Sequence, residues 1–275
     1  MERSSWPRAT WGGRLPPPDR RRTPAILAMG GGGFTAGPDD PALDELVLQL
    51  ADTPRPRICL LPTAGGDSEH QIRRFAETYG NRLCEPSHIS LFRLGRQPVP
   101  LRDHLLSQDV IYVGGGSMVN LIAVWRAQGL DAILREAWQA GVVLAGLSAG
   151  SMCWFEWGVT TSSGRPAPAP GLGFLRGSNS VHHDSEPSRR PVYLGAVRAG
   201  EIPPGYAVDD GAALVFRGRR LDEVVSARPG ARAYEVDGTG ARPLPARPLS
   251  DHRRAEPPAP AVAELRRLRL SHLVD

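Results

Sequence analysis

From about residue 24 to residue 155, short apolar runs alternate with stretches in which apolar residues recur every three or four positions. Pro24 opens the run Ala25-Ile26-Leu27-Ala28-Met29, which ends in four glycines, Gly30 to Gly33. Leu43, Leu46, Val47 and Leu50 then share one helical face, with Asp39 or Asp40 placed to cap it. The run 57–61 leads into Pro62-Thr63-Ala64-Gly65-Gly66, and Ile72, Phe75, Ala76 and Tyr79 mark a helix that stops at Gly80. A strand is expected around residues 88–92. After a polar connection, the apolar run 109–113 enters Gly114-Gly115-Gly116, and Ser117 caps a helix carrying Met118, Leu121, Ile122 and Trp125. Leu130, Ile133, Leu134 and Trp138 mark one more helix before the strand 142–147.

Strands alternating with helices at this rhythm predict an α/β fold: a mostly parallel, doubly wound sheet with helices on both faces. In such sheets ligands bind beyond the carboxyl ends of the strands, where the small-residue loops 30–33, 63–66, 114–116 and 146–150 all fall. Past the 148–153 turn the pattern changes to short runs at 173–175, 206–208, 212–216, 223–225 and 233–236, expected as antiparallel additions in the C-terminal half of the same domain. Residues 1–23 are rich in Pro and Arg and read as a disordered extension, 24–240 as the α/β domain, and 241–275 as a Pro/Arg-rich linker with a short helix near 261–270.

Composition narrows the function classes. With 41% hydrophobic and 23% charged residues the chain has an ordinary globular make-up. All 33 basic residues are arginine, and the pI is near 9.3. The arginine clusters (20–22, 253–254, 266–269) lie outside the apparent core without accompanying aromatics, so no nucleic-acid partner is expected. No membrane-spanning run is present. The five apolar residues after Arg20-Arg21-Arg22 fall short of the roughly 7–15 that a signal peptide uses. Cys59, Cys84 and Cys153 have no metal-ligand spacing and read as reduced core thiols, which fits a cytoplasmic protein.

The chemistry centres on Gly146-Leu147-Ser148-Ala149-Gly150. A serine flanked by glycines at a strand-to-helix turn presents its hydroxyl on a tight corner with the next backbone N–H aimed at the same spot, which makes Ser148 a candidate nucleophile. A serine needs a base and an orienting acid. His182 and His183 sit in the dense polar stretch His182-His183-Asp184-Ser185-Glu186-Pro187, for which a solvated loop and a metal site are the competing readings; no other His/Cys cluster supplies a further ligand. Asp209 and Asp210 end an apolar run before Gly211, and alternation lets at most one of them reach an imidazole. Gly31, Gly33 and Ala36 fit the dinucleotide pattern formally, but no acid follows the second strand.

Together these segments resemble the peptidase E and cyanophycinase family of serine hydrolases, whose core is similar to class I glutamine amidotransferases with serine as nucleophile. The resemblance spans roughly residues 24–237. It implies Ser148 as nucleophile, His182 as base and Asp210 as acid, with an oxyanion hole from the N–H of Ala149 and one from Gly115 or Gly116. It implies a small peptide substrate and neither cofactor nor metal, and it is compatible with a homodimer. Relatives that cleave after an N-terminal aspartate carry asparagine where this chain has Ser117, a departure at the substrate site. Arg189 and Arg190 could pair a substrate carboxylate or be solvated loop residues. The readings from other classes are a catalytically idle amidotransferase-like binding or regulatory protein, and a true amidotransferase, which would need a cysteine at position 148.

Overall fold

The computed structural model describes residues 23–36, 41–96 and 100–249. Its first half follows the alternating pattern: β1 (Ala25–Met29), α1 (Ala42–Leu50), β2 (Arg57–Leu61), α2 (Glu69–Gly80), β3 (Glu85–His88), α3 (Leu101–Leu106), β4 (Val110–Val113), α4 (Met118–Ala127), α5 (Leu130–Gln139), β5 (Val143–Leu147) and the single-turn α6 (Ala149–Met152). The second half holds β6 (Phe155–Thr160), β7 (Ala167–Pro170), β8 (Leu175–Val181), α7 (Arg189–Arg198), β9 (Gly205–Val208), β10 (Ala212–Arg217), β11 (Arg220–Ser226), β12 (Ala233–Asp237), β13 (Gly240–Pro243) and β14 (Arg247–Pro248).

The described strands form two sheets. The larger runs β14-β11-β10-β1-β5-β4-β2-β3, with β1, β5, β4, β2 and β3 parallel and β10 and β11 added antiparallel. Its central parallel strands β1, β5, β4 and β2 are almost wholly apolar because both faces are covered, whereas the edge strand β3 is polar. Ala25, Leu27 and Met29 pack with α1 and α2, while Ile26 and Ala28 pack with α4, α5 and the start of the second half. The smaller sheet runs β13-β12-β9-β8-β6-β7. Its central strands β6, β8 and β9 are parallel to one another, against the expectation for 206–208; β12 pairs antiparallel as expected, and β7 and β13, outside the expected runs, pair antiparallel as well. α7 supplies the crossover between β8 and β9 and buries Tyr193, Ala196 and Val197 on this sheet.

Several boundaries differ from expectation. β3 lies at residues 85–88 rather than 88–92, because an edge strand needs no apolar run and the apolar residues Ile89 and Leu91 instead fold under the sheet edge. The polar connection before β4 contains α3, anchored by buried Leu105. α1 starts after Pro41 without a side-chain cap; Asp39 and Asp40 lie outside the described residues. Residues expected as linker form β13 and β14, so sheet pairing continues to Pro248. The helix expected near 261–270 and the extension expected before residue 23 lie outside the described residues.

Two features of the larger sheet fix the 146–150 corner. β5 and α6 meet so closely that a Cβ on Gly146 would lie 2.0 Å from the Gly150 carbonyl oxygen, and one on Gly150 would lie 2.3 Å from that of Val113. Both obstacles are backbone, which cannot swing aside. Gly146→Ala should therefore destabilise the fold by about 1–3 kcal/mol, the usual cost of overpacking, read as a lowered thermal midpoint. An unchanged midpoint would contradict this packing.

Candidate active site

The site lies where carboxyl ends of strands from the two sheets converge. In the larger sheet β1 and β5 are parallel neighbours, with Met29 opposite Leu147. In the smaller sheet β8 and β9 are parallel neighbours, with Val181 opposite Val208. Ser148 follows β5, His182 follows β8, and Asp210 lies two residues past β9. Asp209-Asp210-Gly211 is the segment in which the chain crosses from β9 to β10, hence from one sheet to the other. Gly31 pairs with Asp210 across this junction, and the Gly211 N–H donates to the Gly31 carbonyl at 3.0 Å. A Cβ on Gly31 would fall 2.1 Å from Asp210 Oδ1 and 3.1 Å from His182 Cε1, so the loop after β1 must be bare for the carboxylate to fit.

These ends bring three predicted residues together. Ser148 Oγ stands 2.9 Å from His182 Nε2, and His182 Nδ1 stands 2.6 Å from Asp210 Oδ1. The imidazole beside the Asp210 carboxyl is the foremost cause of its lowered pKa, with the Ser185 hydroxyl and Arg228 acting in the same direction against partial burial. An ionised carboxylate can only accept, so Nδ1 is the donor. In the neutral ring Nε2 is then the acceptor for the Ser148 hydroxyl proton. That is the tautomer a base needs.

The backbone around each residue is constrained. Ser148 has φ 54° and ψ −117°, a region that costs a non-glycine residue about 1–3 kcal/mol. The corner is held by the Ser148 N–H on the Met29 carbonyl and by the N–H groups of Ser151 and Met152 on the Ser148 carbonyl. His182 also has positive φ, 56°. Asp210 is clamped along its main chain: its N–H donates to Asp184 Oδ1 at 2.9 Å, Arg228 Nε donates to its carbonyl at 3.0 Å, and Arg228 Nη2 closes the ring on Asp184 Oδ2 at 2.8 Å. Ser185 Oγ donates to the second carboxylate oxygen at 2.7 Å.

The candidate oxyanion donors lie alongside. Among the described residues no acceptor is within hydrogen-bonding reach of the N–H groups of Gly115, Gly116 and Ala149. Gly115 lies against Ser148, since a Cβ there would come 3.3 Å from Ser148 Cβ. Gly116 has φ 142°, and a Cβ on it would strike the Ala64 carbonyl oxygen at 2.1 Å. Ser117 caps α4 as expected, its hydroxyl accepting from the Asn120 N–H at 3.2 Å.

One expectation, Arg189 as a substrate-binding residue, is corrected. Arg189 is 3% exposed, and its guanidinium binds inward to both Glu186 oxygens, the Val159 carbonyl and Thr161 Oγ1. With its donors committed to the fold, it is not a clamp for a substrate carboxylate. Arg190 is exposed, and its Nε donates to the His183 carbonyl. The alternative metal set is dispersed: His183 is buried against Tyr234 at 4.8 Å between centroids, Asp184 pairs with Arg228, and Glu186 with Arg189. Among the described residues no group of three His, Cys, Asp or Glu side chains is placed to hold a metal ion. Gly33 leads into a 3-10 turn rather than a helix, unlike a dinucleotide loop. Cys59, Cys84 and Cys153 are free and buried. Asp184 belongs to the polar stretch read as a competing metal site, but Arg228 has no signal in the sequence, because its pairing with Asp184 spans 44 residues.

Both the sequence and the fold are shared with known proteins. The profile of peptidase family S51 matches residues 26–224. A Bacillus subtilis (strain 168) protein, "Uncharacterized peptidase YgaJ", is 49% identical over 211 residues, covering 77% of this chain and 91% of that one. The crystal structure of a peptidase from an acI-B1 Actinobacterium shares the fold at TM-score 0.63 and 20% identity, covering 82% of this chain and 96% of its own. A further solved structure, from Listeria monocytogenes EGD-e, gives TM-score 0.53 at 16% identity, with 74% and 98% covered. No helix among the described residues is long and apolar enough to cross a membrane.

Two outcomes follow from the site's protonation. The proton between His182 Nδ1 and Asp210 should give a far-downfield imidazole resonance in the proton NMR spectrum that disappears in Asp210→Ala. His183 behaves differently: burial first, and the charge of Arg190 second, push its pKa down from 6.5 to about 4. The folded state holds this ring neutral while the unfolded chain protonates it below 6.5, so stability falls as pH drops from 6.5 towards 4. Half-buried His104, also pushed down to about 4 by desolvation, acts with the same sign. His183→Phe should therefore lessen, without abolishing, the drop in urea midpoint between pH 7 and pH 4.5. A slope identical to wild type would contradict the assignment.

Proposed function

The chain belongs to peptidase family S51 and is on that ground a serine-type peptidase, and we propose that it hydrolyses the amide bond of a small peptide through Ser148, His182 and Asp210. The observation that carries this reading is the continuous chain from Ser148 Oγ to His182 Nε2 and from Nδ1 to Asp210, at 2.9 and 2.6 Å. A binding protein without catalysis has no need of that alignment, nor of a strained serine at its head, so the same distances favour hydrolysis over the idle reading.

In this mechanism Ser148 Oγ attacks the carbonyl carbon as its proton passes to His182 Nε2. The carbonyl oxygen takes the electron pair and is met by the N–H of Ala149 and that of Gly115 or Gly116. Collapse of the tetrahedral species breaks the C–N bond, and the amine leaves with the proton from His182. Water then attacks the acyl ester, His182 again receives a proton, and its return to Ser148 Oγ frees the acid product. Asp210 keeps the imidazole in the donating-Nδ1 form throughout and stabilises its transient charge.

The substrate class is read from what surrounds the nucleophile. Ser117 stands where the aspartate-cleaving relatives carry asparagine, and Arg189 is committed to the protein interior, which leaves Arg190 as the arginine of that segment open to a substrate carboxylate. The proposal is therefore dipeptidase-like cleavage of small peptides without a commitment to an aspartyl first residue.

Reaction with a fluorophosphonate should modify Ser148 alone, as located by peptide mass spectrometry. Ser148→Ala should lower turnover on the order of 10⁶-fold and Asp210→Asn on the order of 10⁴-fold, as in other serine triads. A screen of dipeptides varied at the first residue, with Asp-X and isoaspartyl forms included, supplies the substrate. Modification of another residue, or undiminished turnover in Ser148→Ala, would refute the assignment.

A further inference from the structure

We propose that Gln71, on α2, is a positioning residue that sets the direction of the Gly116 N–H and so readies one of the oxyanion donors; the inference rests on the serine-hydrolase reading above. Gln71 lies near the start of α2, and its Nε2 donates to the Gly115 carbonyl at 3.2 Å. That carbonyl and the Gly116 N–H belong to one peptide unit. The unit is trans, so the two groups point in opposite directions across a rigid plane. Holding the oxygen therefore aims the N–H.

The loop needs such a hold. Gly114 is anchored by its N–H on the Leu61 carbonyl, and Ser117 by its N–H on the Ala64 carbonyl. Between those anchors the Gly115–Gly116 plane is flanked by two residues without Cβ, for which opposite orientations of the plane are both sterically open. Gln71 selects one of them.

The side chain occupies this place at a disadvantage. Gln71 Oε1 is buried without a hydrogen-bond partner, whereas buried polar atoms are ordinarily paired. The amide also forces position 114 to be bare: a Cβ on Gly114 would lie 2.2 Å from Gln71 Oε1, 2.7 Å from its Cδ and 3.0 Å from its Nε2. A leucine or methionine at position 71 would fill much the same space and leave no orphaned oxygen. What those side chains cannot do is donate to the Gly115 carbonyl.

The test is the second-order rate of fluorophosphonate modification at Ser148, which uses the oxyanion donors and requires no knowledge of the natural substrate. Loss of a whole donor costs on the order of 10²–10³, so an unaimed one should slow Gln71→Leu at least about tenfold. Its urea midpoint should equal or exceed that of wild type. Once a peptide substrate is in hand, kcat should fall with KM within about twofold, the pattern of an interaction made in the transition state. Gln71→Glu, nearly identical in shape, gives a readout that a packing role would not move. Ionised, it cannot donate and should be slow; protonated, it can, so the ratio of its rate to that of wild type should rise as pH falls. Modification of Gln71→Leu at the wild-type rate, or a Gln71→Glu ratio independent of pH, overturns the role of Gln71 while leaving Ser148 as nucleophile. If wild type is not modified at Ser148, the underlying reading of the site falls and this inference with it.

Discussion

The constraint on which the site depends is the crossing of the chain between its two sheets at Asp209-Asp210-Gly211. β9 closes the smaller sheet's parallel run, β10 extends the larger sheet beside β1, and three residues make the transfer. Gly31 pairs with Asp210 at this point, so the loop after β1 and the carboxylate facing His182 occupy a single junction. Glycine there is a matter of contact distance, because any side chain on Gly31 would displace the acid. The ring formed by Asp184, Arg228 and the Asp210 main chain holds the crossing from the other side. With the backbone of Asp210 fixed at both ends, the carboxylate loses little freedom in meeting the imidazole, and that is the sense in which the proposed triad is preorganised.

The same junction explains why the three residues of the proposed triad come from such distant parts of the sequence. Ser148 rides on the parallel sheet, where burial on both faces makes strand ends rigid. His182 and Asp210 ride on adjacent strands of the second sheet, in register. The conformational cost is concentrated at Ser148 and His182, both at positive φ, and the cores on either face of the larger sheet support it.

Much of this was legible in the sequence where physical demands leave a local mark. Gly146 and Gly150 are needed because backbones touch, Gly115 and Gly116 because the loop lies against Ser148 and Ala64, and the apolar runs because parallel strands are covered on both sides. Where the demand is non-local the sequence is silent. α7 carries Pro191 and Gly195 and buries few residues, so its periodicity does not stand out from the preceding polar stretch. The parallel pairing of β8 with β9 depends on that helix as its crossover, and without a helical signal between them short strands read as simple antiparallel additions. Arg189 looked like a surface cation because nothing near it in sequence, apart from Glu186, announces that Val159 and Thr161 enclose it.

Two doublets in the site, His182-His183 and Asp209-Asp210, are identical in composition but opposite in environment. His183 and Asp209 face the interior, each with one buried polar atom unpaired, while His182 and Asp210 face the crevice. The identity of the working residue is thus a matter of parity along β8 and β9. A one-residue slip of either strand would still set a histidine near an aspartate, yet with the wrong member turned outward. Fidelity of pairing in the smaller sheet is therefore a requirement of the proposed chemistry itself. Damage to that pairing would part His182 from Asp210 and would also strip one face of the larger sheet, whose core includes Leu175, Val181 and Val208 of the smaller sheet.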